Sequence, residues 1–435
     1  MEKIIDIHSD AKYIMDLLSI CGVKSYIVGG YVRDKLLNRA WNDIDIFCEP
    51  CDLKEIFPDG NIIGGEARQG KMQTIAVNIN GNVFEVSVFR GNGDRTIIGT
   101  SIEDHCLTCD FTVNALCVDK NGIVYDFVDG IKDLEDRVLR AVGNPLYRFK
   151  EDWIRIVRLH RQNCDGIWTI EERTYDLSKE AAVMIINEPV ERFMAEFFKA
   201  LKKPRPDLFL EFMWNTDLMG YYFPQYKHAA TVYQNPIYHP EVTLKKHITQ
   251  TVTACHRDAR FYAFLHDYGK PSTAVDVDLI TSGDYRGKTY SSFHKHEIVG
   301  SDLMPDLFEE LKLSNEMLKK AQLVCELHTQ AYSVAESNRE ATVRKFQHRA
   351  GEYLDLLEKV CRADTNGRKE FKTYVFVPLP EVVDFKPAVS GGYLIERGYQ
   401  PGKKLGDIKR KCEELQIEHG INDPDEIYSM IAEAV

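Results

Sequence analysis

The sequence predicts an α/β N-terminal region built on a small mixed sheet, followed by all-α regions over the rest of the 435 residues. Three observations carry this prediction. A short apolar run at residues 26–28 ends at two glycines and is followed by a helical segment and by an alternating segment, DIDI. Two further strand-like runs, 74–79 and 83–89, flank the turn sequence Asn-Gly-Asn. From about residue 223 the pattern changes to helices that carry histidines.

Length and composition exclude several classes of protein. A chain of this length is too long to form a single hydrophobic core, so two to four domains are expected. Hydrophobic residues make up 44% and charged residues 28%, as in a soluble globular protein. There is no membrane-length apolar run, no signal-peptide pattern and no paired metal spacing among the eleven cysteines, so reduced thiols in the cytoplasm are expected. The net charge of −12 argues against a protein that coats nucleic acid nonspecifically. It does not exclude an RNA substrate, because a local basic surface can bind RNA.

Residues 1 to about 25 are expected to form an amphipathic helix. The segment after it, 26–47, contains groups suited to phosphate and metal. Alternation at period two is typical of a strand, so Asp43 and Asp45 should lie on one face while Ile44 and Ile46 enter the core. Two close carboxylates repel each other unless a cation lies between them, and Mg²⁺ prefers oxygen ligands. Gly29 and Gly30 offer backbone N–H groups at a helix start, which suits phosphate oxygens. The segment therefore predicts a nucleoside triphosphate held over a pair of metal ions.

Glu85 is a candidate third carboxylate. It alternates with Phe84 and Val86 in the second of the two strand-like runs, so it is placed to face the aspartates from a neighbouring strand. A carboxylate there would complete a two-metal site. The alternative is an ordinary exposed strand residue.

Residues 26–47 resemble the signature of the nucleotidyltransferase superfamily. More narrowly, GGYVRDKLL followed by DIDIF is similar to the head of bacterial-type (class II) tRNA CCA-adding enzymes and related poly(A) polymerases. The resemblance implies that Gly29, Gly30 and Arg33 hold the triphosphate of CTP or ATP, and that Asp43 and Asp45 bind two Mg²⁺. It also implies the 3′ end of tRNA as partner.

The next segment contains a departure from this family. Residues 90–108 are polar and rich in glycine, and predict a mobile loop. The sequence DFTVNA at 110–115 resembles the family motif Arg-Arg-Asp-Phe-Thr-x-Asn-Ala, but Thr108 and Cys109 occupy the two arginine positions. The resemblance places a nucleotide contact at Cys109, and this contact must be lost or supplied elsewhere. Arg90 and Arg95 are possible substitutes.

A basic stretch follows, with aromatic residues interleaved, and suits an RNA surface. Its basic residues are Arg137, Arg140, Arg148, Lys150, Arg155, Arg158 and Arg161. Asp152, Arg155 and Arg158 share a helix face by their spacing, which by itself indicates an intrahelical salt bridge. A carboxylate and a guanidinium also imitate the hydrogen-bonding partner of a base that carries an exocyclic amine, as C and A do. The fragment resembles the family motif Glu-Asp-x-x-Arg, which implies that Asp152 and Arg155 select the base with help from Arg158, and residues 189–196 resemble the supporting motif that follows.

The second half of the chain carries histidines and aspartates in the order of the HD phosphohydrolase superfamily. Imidazole and carboxylate ligands suit Ni²⁺, Mn²⁺ or Mg²⁺. The resemblance implies a metal site formed by His247, His266, Asp267 and Asp364. Phosphate or a second metal ion is assigned to His294, His296 and His328. The alternative is a degenerate module with a structural role.

These observations predict four regions and two activities. The regions are a nucleotidyltransferase head (1–140), a helical base-selecting neck (141–230), an HD phosphohydrolase domain (231–370) and a helical tail (371–435). The resemblance implies template-independent addition of C, C and A to tRNA, together with removal of terminal or 2′,3′-cyclic phosphate. The alternatives are a CC-adding enzyme, a poly(A) polymerase, or a tRNA-repair phosphohydrolase whose head binds RNA without catalysis. A monomer or a homodimer without membrane contact is expected.

Overall fold

The computed structural model describes residues 3–41, 43–63, 74–91, 94–337, 339–365 and 373–432, with the side chains of 94–96 and 432 left out. The chain divides into two compact units, Met1–Ala200 and Leu201–Val435. Among the described helices, none is both long enough and apolar enough to cross a membrane.

The N-terminal unit contains a mixed sheet, as the sequence predicts. Within the described residues this sheet has seven strands in the order β3-β4-β5-β2-β1-β8-β9. The strands of the unit are β1 Ser25–Val28, β2 Asp45–Cys48, β3 Asn61–Ile62, β4 Thr74–Ile79, β5 Asn82–Val88, β6 Arg90–Gly91, β7 Asp94–Ile98, β8 Cys117–Val118, β9 Val124–Tyr125, β10 Val138–Leu139 and β11 Thr169–Ile170. Strands β2 and β5 pair in parallel, and every other neighbouring pair of strands described in this sheet is antiparallel.

The predicted hairpin is present between β4 and β5. Asn80 and Gly81 both have positive φ, 53° and 85°. This backbone suits a two-residue hairpin turn, because its twist matches that of the flanking strands.

Helices cover the sheet and extend the unit. They are α1 Ser9–Ile20, α2 Gly30–Leu36, α3 Leu53–Ile56, α4 Ile102–Cys106, α5 Gly130–Asp136, α6 Pro145–Lys150, α7 Ile154–Asn163, α8 Glu172–Glu180 and α9 Val190–Leu201. The prediction of an irregular loop over 90–108 is wrong for the described part of that segment, which forms β6, β7 and α4. The Ser101 side chain accepts a hydrogen bond from the Asp104 N–H and so starts α4. Residues 92 and 93 lie outside the described residues.

The C-terminal unit is mainly helical. Its helices are α10 Pro206–Asn215, α11 Leu218–Tyr222, α12 Leu244–Ala254, α13 Arg260–Leu265, α14 Lys270–Thr273, α15 His296–Glu310, α16 Asn315–Ser337, α17 Glu340–Ala350, α18 Leu354–Thr365, α19 Pro380–Val383, α20 Gly391–Glu396, α21 Lys403–His419 and α22 Pro424–Ala432. The all-α prediction missed an antiparallel hairpin, β12 Ala274–Leu279 with β13 Thr289–Phe293. The sequence AVDVDL alternates at period two, which is the pattern of a strand.

Candidate functional site

Three carboxylates meet at the start of β2. Asp45 pairs in register with Glu85 across the parallel β2–β5 ladder, so the two side chains leave the same face of the sheet. Asp43 lies two residues before Asp45, and Ile44 and Ile46 are buried, as the alternation predicts. The structure therefore brings the three predicted carboxylates together, with the strand itself beginning at Asp45.

The electrostatics of this group favour a bound cation. Burial, together with the charges of Glu85 and Asp43, raises the pKa of Asp45 to about 6, although Arg90 and Arg158 act in the opposite direction. Repulsion between carboxylates is relieved when a divalent ion lies between them. The all-oxygen donor set fits Mg²⁺.

The glycine pair and Arg33 form the adjacent corner of the sheet. Gly29 has φ of 94°, which an L side chain rarely adopts, and its N–H donates to the Leu116 carbonyl at 3.2 Å. Arg33 donates to both oxygens of Asp34, at 2.9 Å each, and to Asn114 Oδ1 at 2.7 Å. These contacts fix the guanidinium beside the start of α2.

Asn114 connects this corner to helix α7, a link that the sequence reasoning did not include. Its Nδ2 donates to Asp110 Oδ1 at 2.9 Å and to Gln162 Oε1 at 3.2 Å, while Arg158 Nε donates to Asp110 Oδ2 at 2.8 Å. Burial raises the pKa of Asp110, but Arg158 and Asn114 outweigh it and hold that pKa well below its usual range. The DFTVNA motif was the available signal for this network.

Asp152 and Arg155, which were predicted to contact one incoming base, form hydrogen bonds with other protein groups in this structure. Both oxygens of Asp152 accept from Arg192 Nη2 at 3.0 Å. The Arg155 side chain is 1% exposed, and it donates to Glu151 Oε2 at 2.6 Å and to the Thr108 carbonyl at 2.9 Å. Base selection by this pair therefore stays a prediction that requires an exchange of these partners.

Cys109 contributes no cation at the position where the family has arginine. Its thiol points to the His105 carbonyl at 3.8 Å, and burial raises its pKa, so it stays neutral. Arg90 lies in the same region: its N–H donates to His105 Nδ1 at 3.1 Å, and its guanidinium carbon is 5.6 Å from the centre of the Phe47 ring. The Arg95 side chain lies outside the described residues.

In the C-terminal unit, four predicted residues converge: His247 from α12, the consecutive His266 and Asp267 from the turn after α13, and Asp364 from α18. His247 Nε2 and His266 Nε2 are 3.2 Å apart, and each is 3.1 Å from Asp267 Oδ2. Asp364 Oδ1 lies 3.1 Å from His247 Nε2 and 3.6 Å from His266 Nε2. The two histidines and Asp267 are almost completely buried.

Asp267 also faces a second pair of imidazoles. Its Oδ1 lies 3.3 Å from His296 Nε2 and 3.5 Å from His328 Nε2, and these two nitrogens are 3.4 Å apart. His294, which was predicted with this pair, is exposed on the surface of the unit, whereas His296 and His328 are buried, so a role for His294 stays a prediction.

The imidazoles are oriented so that every Nε2 faces the centre of the cluster. Three of the four named histidines donate Nδ1–H to the main-chain carbonyl three residues earlier, and a carbonyl can only accept. These bonds are His266 to Ala263 (2.7 Å), His296 to Phe293 (2.8 Å) and His328 to Cys325 (2.7 Å). His247 differs, since its Nδ1 lies 2.7 Å from Glu241 Oε1. Inward-facing Nε2 atoms with carboxylate oxygens form a donor set that fits a divalent transition metal.

The cluster attracts positive charge. Burial lowers the pKa of His247, but hydrogen bonds with Asp267, Asp364 and Glu241 outweigh it and raise that pKa to about 10. For His266 the attraction of Asp267 likewise outweighs burial and raises the pKa to about 9. Carboxylates that hold protonated imidazoles in this way are also suited to hold a metal cation.

A cavity of about 550 Å³ opens onto the cluster, with Asp267, His296, His328 and Asp364 in its lining. Two further polar residues line this cavity and were missed by the sequence reasoning. Lys270 Nζ is 2.7 Å from Asp267 Oδ2 and donates to Gln234 Oε1 at 2.8 Å. The Tyr332 hydroxyl donates to Asp364 Oδ2 at 2.7 Å. Lys270 follows Asp267 by one helical turn, and that spacing was the available signal.

Comparison with known proteins finds family models that match the first half of the chain and a relative that aligns with nearly all of it. The model of the Poly A polymerase head domain matches residues 25–140, and that of the probable RNA and SrmB-binding site of polymerase A matches 168–229. A CCA-adding enzyme of Streptococcus sanguinis is 26% identical over 98% of this chain and 97% of its own length. A multifunctional CCA protein of Hahella chejuensis is 26% identical over 89% and 94%. The crystal structure of the Bacillus stearothermophilus CCA-adding enzyme in complex with CTP has the same fold, with a TM-score of 0.71 at 22% identity over 98% of this chain and 96% of that one.

Proposed function

We propose that this chain adds C, C and A to the 3′ end of tRNA from CTP and ATP without a template. The chain belongs to the family of CCA-adding enzymes and their poly(A) polymerase relatives. The observation that carries the proposal is the meeting of Asp43, Asp45 and Glu85 at the start of β2. The CCA-adding enzyme of Streptococcus sanguinis, which aligns over 98% of this chain, supports the choice of reaction.

The carboxylates would hold two Mg²⁺, which when bound favour ionisation of the primer 3′-hydroxyl and neutralise charge at the α-phosphate and the departing pyrophosphate. Gly29, Gly30 and Arg33 would hold the triphosphate. The Gly29 N–H is bound to the Leu116 carbonyl in this structure, so Gly29 would contribute the close approach that the lack of a side chain allows. Arg33 is suited to this role because Asp34 and Asn114 fix its guanidinium before a nucleotide arrives.

Selection of C and A over U and G is assigned to Asp152 and Arg155, with Arg158 in support. Asp152 accepts hydrogen bonds and is therefore suited to an exocyclic amine. For this role Asp152 has to release Arg192, which is itself 43% exposed, and Arg155 has to turn away from the Thr108 carbonyl. Family likeness supports this assignment, and the observed side-chain partners define the rearrangement it requires.

The test uses the purified chain, a tRNA lacking its CCA end, Mg²⁺ and each labelled nucleotide, singly and mixed. Two additions from CTP and a third when ATP is present are expected. Addition of C alone would favour a CC-adding enzyme, and extension by many A residues a poly(A) polymerase. Retention of CMP incorporation by Asp43→Ala would contradict the assignment of the carboxylates.

We further propose that the C-terminal unit removes terminal or 2′,3′-cyclic phosphate from the tRNA 3′ end. The specific observation in favour is the buried cluster of four imidazoles around Asp267. We call His247, His266, Asp364 and Asp267 Oδ2 the first metal site, and His296, His328 and Asp267 Oδ1 the second metal site. A divalent ion bound there, Ni²⁺, Mn²⁺ or Mg²⁺, supplies an activated water.

The two reactions fit together chemically, because a tRNA that ends in such a phosphate has no free 3′-hydroxyl to extend. Lys270, buried beside Asp267 and lining the cavity, is positioned to face the phosphate of a bound RNA end. Loss of the cyclic phosphate from a damaged tRNA in the presence of Ni²⁺, Mn²⁺ or Mg²⁺ tests the proposal. Hydrolysis without any nucleotide addition would favour a repair phosphohydrolase with a non-catalytic head.

A further inference from the structure

We propose that Glu241 positions His247 and thereby makes the first metal site the tighter of the two sites in the cluster. This inference rests on the proposed hydrolase function of the same cluster. It concerns a residue that is not a member of either metal site and acts through one of the ligands.

Glu241 lies in a tight segment just before helix α12 and has little freedom to move. Its side chain is 2% exposed, and its Oε1 lies 2.7 Å from His247 Nδ1 and 3.1 Å from His239 Nδ1. The backbone around it is fastened by the Val242 N–H, which donates to the His239 carbonyl at 2.9 Å, and by the Val242 carbonyl, which accepts from Gln234 at 2.7 Å. One carboxylate oxygen therefore holds two imidazole rings at fixed angles.

The contrast with the other three imidazoles carries the inference. His266, His296 and His328 each donate Nδ1–H to a neutral main-chain carbonyl. The Glu297 carboxylate lies 3.5 Å from His296 Nδ1, whereas the Glu241 carboxylate is in direct hydrogen-bond contact with His247 Nδ1, at 2.7 Å. A carboxylate partner fixes the tautomer and raises the basicity of the opposite nitrogen more than a carbonyl does. His247 Nε2 is therefore the strongest imidazole donor of the cluster.

The carboxylate ligands reinforce this ranking. The first metal site contains a carboxylate of its own, Asp364, beside the shared Asp267, and the Tyr332 hydroxyl holds the second oxygen of Asp364 at 2.7 Å. The second metal site has the shared carboxylate with His296 and His328. More negative charge and a more basic imidazole both favour filling of the first site before the second.

The test is a calorimetric titration of the chelator-treated full-length chain with Ni²⁺. The cluster of the wild type is expected to give two binding events of unequal affinity, and any event from the proposed head carboxylates is identified by its loss in Asp43→Ala. Glu241→Gln, which keeps the size of the side chain and removes its charge, should weaken the tighter event about ten- to hundredfold and leave the weaker one unchanged. His328→Ala should remove the weaker event and keep the tighter one.

Glu211→Gln is the matched control, since Glu211 is an exposed carboxylate paired with Lys245 at 3.1 Å. Circular dichroism and thermal unfolding check that each variant is folded. If Glu241→Gln does not fold, Glu241→Asp replaces it: this variant keeps the charge but withdraws the carboxylate from His247, and the same loss is expected.

The failures of the two proposals differ. A wild-type chain whose cluster binds none of Ni²⁺, Mn²⁺ and Mg²⁺ would remove the proposed hydrolase function and this inference with it. Two wild-type events that persist unchanged in the folded Glu241 variant, or that weaken equally, would overturn the role of Glu241 and leave the metal sites in place.

Discussion

The Asp45 carboxylate lies between Asp43 and Glu85, and its pKa is raised to about 6 by burial and by these two charges. The folded chain therefore keeps a proton on Asp45 between pH 3.8 and about 6 that the unfolded chain releases. By linkage, the stability of the metal-free fold decreases as the pH rises through that window. Above about pH 6 the fold carries the whole free-energy penalty of an ionised Asp45. The residue proposed for catalysis is thus a source of instability when no cation is bound.

We predict that Asp45→Asn stabilises the metal-free N-terminal unit at pH 8 and not at pH 4. The difference between 3.8 and about 6 corresponds to about 3 kcal/mol, and we expect about 1–2 kcal/mol because solvent screens a partly exposed group. Chemical unfolding followed by circular dichroism in chelator measures the gain, and nucleotide addition should be abolished in the same variant. A lower unfolding midpoint at pH 8 than that of the wild type would contradict the repulsion argument.

At the scale of elements, two arginines attach helix α7 to segment 108–110, where the DFTVNA motif begins. Arg155 reaches from the start of this helix to the Thr108 carbonyl, and Arg158 reaches to Asp110. Both arginines therefore hold structure as well as carrying the proposed base-selecting motif. The two roles are separable, because Arg155 is 1% exposed while Arg158 is 39% exposed.

We predict that Arg155→Ala destabilises the N-terminal unit by about 3 kcal/mol, because it removes a buried donor from the Thr108 and Arg148 carbonyls and leaves Glu151 paired with Arg148 alone of its two arginines. The midpoint of urea unfolding measures this loss. Arg173→Ala, at an exposed position of α8, serves as control. An Arg155→Ala protein as stable as wild type would assign the arginine to nucleotide binding alone.

Helix α9 holds the other member of the proposed pair through Arg192 and Asp152. We predict that Asp152→Asn keeps the fold but raises incorporation of UMP relative to CMP about tenfold, which corresponds to about 1.4 kcal/mol. The physical reason is that an amide donates a hydrogen bond to the carbonyl of uracil, where a carboxylate only accepts. The ratio of kcat/KM for UTP and CTP measures this change. An unaltered ratio would remove Asp152 from base selection.

Local patterns predicted the elements whose geometry is local. Alternation in DIDI placed the isoleucines in the core, and Asn-Gly predicted the β4–β5 turn, because side-chain direction and turn backbone depend on a few neighbouring residues. The β12–β13 hairpin was missed since histidine-bearing helices on both sides dominated the pattern. Segment 90–108 was predicted as a loop because its glycines outweighed the strand-forming residues around Ile98.

Contacts between distant residues could not be predicted in the same way. The order of the residues in the sequence predicted that His247, His266, Asp267 and Asp364 share one site. It gave no reason to separate exposed His294 from buried His296. Likewise, the spacing of Asp152 and Arg155 indicated a shared face, while their observed partners, Arg192 and Thr108, come from other segments. Such partners depend on tertiary packing, which a single sequence does not encode locally.

At the scale of the whole molecule, the proposed reactions are divided between the two compact units. The carboxylates of β2 and β5 belong to Met1–Ala200, and the imidazole cluster belongs to Leu201–Val435. The product of the hydrolase, a tRNA with a free 3′-hydroxyl, is a substrate of the transferase. A variant of one unit should therefore leave the chemistry of the other intact.

We predict that two single variants complement each other when they are mixed. Asp43→Ala should lower nucleotide addition about 10³-fold, a cost of about 4 kcal/mol, and Asp267→Asn should abolish hydrolysis. Neither alone should extend a tRNA that ends in 2′,3′-cyclic phosphate, whereas the mixture with CTP, ATP, Mg²⁺ and Ni²⁺ should, because the hydrolysed tRNA dissociates from one chain and binds the other. Labelled nucleotide on a denaturing gel measures the extension, and Asp16→Ala, at an exposed position of α1, is the control. If the mixture fails while each variant keeps its remaining activity on a suitable tRNA, the RNA end must pass between the two reactions without leaving a single chain.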